Sequence, residues 1–132
     1  MRLTKLEEAV LRMMLDGDHP VLEALREQLR HSQVTDRTVA GTGFYTDLEV
    51  DQAVAAAPTA HPSCWIGDVV GAISGCKHGA GFVLFIDDGY LQMLEGYCHA
   101  ASEWPTAVQE FKLSYQGRPT AARAFPVRPR HG

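Results

Sequence analysis

The chain has 132 residues, 45% apolar and 21% charged, with twelve Lys and Arg against sixteen Asp and Glu for a net charge of −4. That length suits one domain whose core needs neither metal nor disulfide, and no apolar run approaches the roughly 18 residues of a membrane span. The acidic balance runs against a dedicated nucleic-acid binder, whose phosphate contacts call for a basic excess.

The first residues run straight into an amphipathic segment. A secretory signal needs a continuous apolar stretch and a small-residue cleavage site, so the expected compartment is the cytoplasm. Leu3, Leu6, Val10, Met13 and Met14 recur at helical spacing. Thr4 and Glu7 stand in the capping-box relation that satisfies orphan N–H groups at a helix start. Gly17-Asp18-His19-Pro20 stops this helix and starts another, because proline at the first helical position forfeits an N–H that had no partner. Val21, Leu22, Leu25 and Leu29 form the second apolar stripe. The two segments read as a helical hairpin.

From Val34 the period changes to two. Val34–Val39 reads as a strand and Gly41-Thr42-Gly43 as a turn. The next strand places Phe44, Leu48 and Val50 on one face and Tyr45, Asp47 and Glu49 on the other. Residues 51–63 read as a surface loop, and Trp65–Ile73 as one strand weakened by Gly67 and Gly71. Phe82–Ile86 is apolar on both faces, the mark of a central strand covered on both sides. Asp87-Asp88-Gly89-Tyr90 supplies the positive φ angles of a tight hairpin. The returning strand places Leu91, Met93, Glu95 and Tyr97 on one face, and Phe111, Leu113 and Tyr115 alternate in a last strand.

The implied fold class is α+β: an N-terminal helical hairpin packed on a largely antiparallel sheet of five or six strands, within a single domain over residues 1–117. Residues 1–117 hold all sixteen acids and eight of the basic residues. Residues 118–132 hold Arg118, Arg123, Arg128 and Arg130 with no acid. This basic, proline-containing segment reads as a flexible tail.

Cys64, Cys76 and Cys98 form an odd set, consistent with apolar fillers in a reducing compartment. Cys76, His78, Cys98 and His99 have poor spacing for zinc, since adjacent strand residues point to opposite faces. Nothing places a helix N-terminus behind a cysteine to make it a nucleophile. Gly79-Ala80-Gly81 lacks the lysine and hydroxyl ending of a phosphate loop and reads as a turn. The expectation is therefore no metal and no cofactor. Glu95, a carboxylate among apolar neighbours, must be paired, hydrogen-bonded or protonated. With His78 and His99 it supplies the acid/base set for an alternative reading as a small enzyme.

The block Gly81–Tyr97, followed by Glu103-Trp104-Pro105, resembles small uncharacterised bacterial proteins with a GF-LFI-DG-L-LEGY…WP signature. The likeness extends to the N-terminal hairpin and covers most of residues 3–116. It marks a fold and carries no catalytic assignment. In size, acidity and α+β content the chain is also similar to immunity proteins that neutralise bacterial toxins, by analogy alone. The leading expectation is a non-catalytic, cytoplasmic protein-binding module that occludes or regulates a basic partner, a toxin among the candidates. Its acidic sheet face would be built from Asp47, Glu49 and Asp51, with Tyr45 as the aromatic anchor. Self-association through a sheet edge, giving a homodimer, is the third reading.

Overall fold

The computed structural model describes residues 1–55 and 63–116, together with the backbone of residues 127–129. Helix α1 spans Lys5–Met14, and α2 spans Pro20–Arg30. The strands are β1 (Ser32–Ala40), β2 (Gly43–Val50), β3 (Cys64–Ile66), β4 (Val69–Ile73), β5 (Cys76–Asp87), β6 (Tyr90–Cys98), β7 (Phe111–Tyr115) and β8 (Val127–Pro129). The α+β arrangement is as expected, with eight strands among the described residues where five or six were anticipated.

The helix signals act as read. Thr4 Oγ1 accepts from the Glu7 N–H at 3.1 Å, and Glu7 accepts from the Thr4 N–H at 2.7 Å. Pro20 opens α2 behind His19, whose ring nitrogen accepts from the Val21 N–H. Arg26 then ties the helices together by donating to the Leu15 and Gly17 carbonyls at the end of α1.

The sheet order is β1-β2-β6-β5-β3-β8, with β4 pairing β5 and β7 pairing β4, and every pairing is antiparallel. Strand β5 is the spine. It pairs with β6 on one side and with β3 and β4 in tandem on the other. Both helices cover one face, where Leu11, Met14, Leu22, Leu25, Phe82, Leu84, Ile86 and Leu94 form a core that is at most 1% exposed. The expectation for Phe82–Ile86 holds for its central position but not for cover on both sides. Val83 and Phe85 on the far face are only half-buried.

The expected single strand Trp65–Ile73 is two, β3 and β4, separated at Gly67-Asp68. The expected turn at Gly79–Gly81 lies inside β5, which starts six residues earlier than its apolar run, and Lys77 and His78 near that start are exposed. Of the expected loop 51–63, residues 56–62 lie outside the described residues. So does the segment 118–132, apart from the Val127–Pro129 backbone, which pairs with Cys64–Ile66.

Cys76 and Cys98 are joined in a disulfide with Cα atoms 5.6 Å apart, while Cys64 is buried outside it. This corrects the view of all three cysteines as fillers. It also removes Cys76 and Cys98 from any zinc or nucleophile set, because both roles need the thiolate.

Candidate functional site

The face of the sheet turned away from the helices is built by alternation, edited by two bulges. On β2, Thr46, Leu48 and Val50 are buried while Tyr45, Asp47 and Glu49 are exposed. The extra residue on β1 falls between Val34, opposite Leu48, and Asp36, opposite Asp47. It shifts the alternation so that Asp36 stands on the outer face and Arg37 turns inward.

The second bulge, on β6, falls between Leu91, opposite Ile86, and Met93, opposite Phe85. Leu91 therefore joins Leu94 in the core, and Met93, Glu95 and Tyr97 form the outer row. This corrects the expected face: Leu91 does not share one with Met93, Glu95 and Tyr97. Glu95 is a half-exposed carboxylate on an open face, cross-strand from Tyr45 and Val83.

Asp36, Asp47 and Glu95 thus stand near Tyr45, and Glu49 extends the same face four residues, about 13 Å, along β2. Asp36 lies directly opposite Asp47, an arrangement of like charges that destabilises a sheet. Among the described residues none of the four has an ion-pair partner. The charge of Glu95, and a hydrogen bond between the two side chains, raise the Tyr45 hydroxyl above the usual tyrosine range. Tyr45 is 40% exposed and Tyr97 37%, and half-buried Met93 and Val83 flank Glu95 on the same face. Asp51 belongs to a different arrangement. It sits just beyond β2, and its Oδ1 accepts from the Ala53 N–H at 3.1 Å to cap the following turn.

His78 and His99 lie at the far end of β5 and β6. His99 Nδ1 donates to the His78 carbonyl at 3.2 Å, and its ring packs against Tyr97 with centroids 5.7 Å apart. Glu95 is four residues before His99, about 13 Å of extended chain. Among the described residues, four cavities of about 310–760 Å³ are lined without Glu95, His78 or His99. The three groups are not brought into one cleft, and no group of three or more His, Cys, Asp and Glu side chains fit to hold a metal occurs among the described residues.

The most connected polar group is one whose full role the sequence concealed. Glu7 is 1% exposed. Besides closing the capping box, it accepts from Arg37 Nε at 2.9 Å, from Arg37 Nη2 at 2.5 Å and from the hydroxyl of buried Thr46. Burial alone would push its carboxyl up. The hydrogen bonds from Arg37, Thr46 and the Thr4 backbone outweigh that and hold it below the usual carboxylate range. The capping box was readable locally, but Arg37 reaches Glu7 only because the β1 bulge turns it inward.

No protein-family model matches the chain, and no match is found among curated proteins or solved structures. No helix among the described residues is long and apolar enough to cross a membrane.

Proposed function

We propose that this chain is a non-catalytic protein-binding module that presents the outer face of β1, β2 and β6 to a basic protein partner. The observation that supports this most is the row of Asp36, Asp47, Glu49 and Glu95 on the face that carries Tyr45, with no ion-pair partner for any of the four among the described residues. Asp36 and Asp47, directly opposite each other without countercharge, cost sheet stability, and the whole row gains from a partner that supplies Lys or Arg. Such a face steers a basic partner in diffusion and fixes its orientation on contact. Tyr45 supplies rigid aromatic area on that face. An inhibitor or immunity protein that occludes a toxin is the specific form this module takes in our reading, by analogy of size and charge.

The test compares the wild type with Asp47→Asn/Glu49→Gln as bait in extract of the native host. A basic protein retained by the wild type, eluted by moderate salt and lost by the double variant, supports the reading. Equal retention by both baits, or the recovery of a second copy of the chain alone, overturns it. The cytoplasmic placement belongs to the same reading. The Cys76–Cys98 disulfide weighs against that placement, because cytosolic thiols are held reduced.

A further inference from the structure

A cavity of about 390 Å³ lies on the opposite side of β1 and β2, between the first turn of α1 and the segment 104–111. Its size falls within the roughly 300–1,000 Å³ of small-molecule sites. The apolar wall is aromatic. Phe44 and Trp104 pack with ring centroids 4.9 Å apart, and Val39, Val108 and Phe111 extend the surface. Gly96 makes room for this wall, because a Cβ there would stand 2.2 Å from the Phe44 ring.

The wall is also held in place. The Trp104 N–H donates to the Gly41 carbonyl at 3.0 Å, and Ser74 Oγ accepts from the Gln109 and Glu110 N–H groups at 3.1 Å. Just before Trp104 the backbone is strained: Ala100 and Ala101 have φ of 59° and 54°, a left-handed conformation unfavourable for residues with a Cβ. The Cys76–Cys98 bond and the Cys98 N–H, which donates to the Thr42 carbonyl, anchor that turn. Strain of this kind collects at ligand clamps.

The polar side is cationic. Arg37 spends Nε and Nη2 on Glu7 and the Arg2 carbonyl, which leaves Nη1 without a partner among the described residues. Glu7 balances Arg37, so Lys5, exposed and in no ion pair among the described residues, leaves this wall with one net positive charge. The molecule as a whole carries −4.

We propose that this cavity binds a small organic acid with an apolar body, an aryl or medium-chain carboxylate. Its body lies against Phe44 and Trp104 and its carboxylate faces Lys5 and Arg37 Nη1. The site is separate from the acidic face and does not depend on it.

The test is a tryptophan-fluorescence titration of the full chain carrying Trp65→Phe, so that Trp104 alone reports. The probes are phenylacetate and octanoate, each beside its neutral amide. The acids are expected to bind with a Kd of about 0.1–1 mM and at least roughly tenfold more tightly than the amides. Lys5→Met, an exposed change that leaves the core alone, should erase most of that charge preference. Ala107→Leu, which fills the cavity from its exposed rim and leaves Trp104 the sole reporter, should abolish the signal for acid and amide alike. Amides that bind as well as acids, a preference unchanged in Lys5→Met, or no response to either acid at about 10 mM would each overturn the proposal.

Discussion

At the scale of the residue, Glu7 shows how one side chain serves two levels of structure. Its carboxylate closes the first turn of α1 and, through Arg37 and Thr46, fastens that helix to β1 and β2. An ion pair so far from water contributes little net stability when complete, but losing one partner leaves the other charge uncompensated. Glu7→Gln is expected to cost about 3 kcal/mol at neutral pH. Because the folded carboxyl titrates below its ordinary 4.5, the native state binds fewer protons than the unfolded state in this range, and stability rises with pH. The contribution is complete above the ordinary value and is lost as pH falls through the lower folded one. Urea midpoints should therefore show a constant gap between wild type and Glu7→Gln from neutral pH down to about 5, and a shrinking gap below that. A gap that persists unchanged into strong acid would contradict this role.

At the scale of the element, the two bulges decide which residues meet. The β6 bulge interrupts the β5–β6 ladder just after the Asp88-Gly89 hairpin, whose residues take φ of 52° and 83°. Gln28 repairs the interruption from α2. Its amide donates to the Gly89 carbonyl at 2.8 Å, and its Oε1 accepts from the Leu91 N–H at 3.0 Å. Replacing it by Leu keeps the volume but strands two buried backbone groups, so Gln28→Leu should lower unfolding free energy by about 2–4 kcal/mol. A loss below about 0.5 kcal/mol would show the hairpin end needs no such clasp.

The same devices explain what the sequence made legible. Thr4 with Glu7, Pro20, Asp88-Gly89 and the alternation of Phe44–Val50 are local signals, and each produced its element where expected. A bulge has no composition of its own, so counting by two through Gln92 placed Leu91 beside Glu95, and counting through Thr35 gave no hint that Arg37 turns inward. Gly67 reads as weakening one strand Trp65–Ile73, whereas with Asp68 it separates β3 from β4. Of the candidate site, Tyr45, Asp47 and Glu49 were readable from a single strand. Asp36 joins them only through pairing, and Glu95 joins them for a reason opposite to the apolar setting first inferred.

At the scale of the whole molecule, the disulfide and the two faces organise the chain. Cys76 and Cys98 are 22 residues apart, and closing a loop of that order stabilises a fold by about 3 kcal/mol through the unfolded chain. Cys98→Ala should lose that amount in non-reducing buffer, and thiol titration of the denatured wild type should find one thiol per chain, that of Cys64. Three thiols together with unchanged stability on adding reductant would show that the bond does not form in solution. With the helices packed on one face, the other is left to the half-exposed row of β6 and the unpaired carboxylates of β1 and β2, the surface assigned here to recognition.

Carbodiimide footprinting of the carboxylates, in the isolated chain and in the complex captured from its host, tests that assignment most directly. The account predicts that labelling of Asp36, Asp47, Glu49 and Glu95 falls several-fold on complex formation, while Glu8, Glu23 and Glu27 on the helices label as before. Protection of the helix carboxylates with the four sheet carboxylates still reactive would place the partner on the wrong side of the molecule and contradict it.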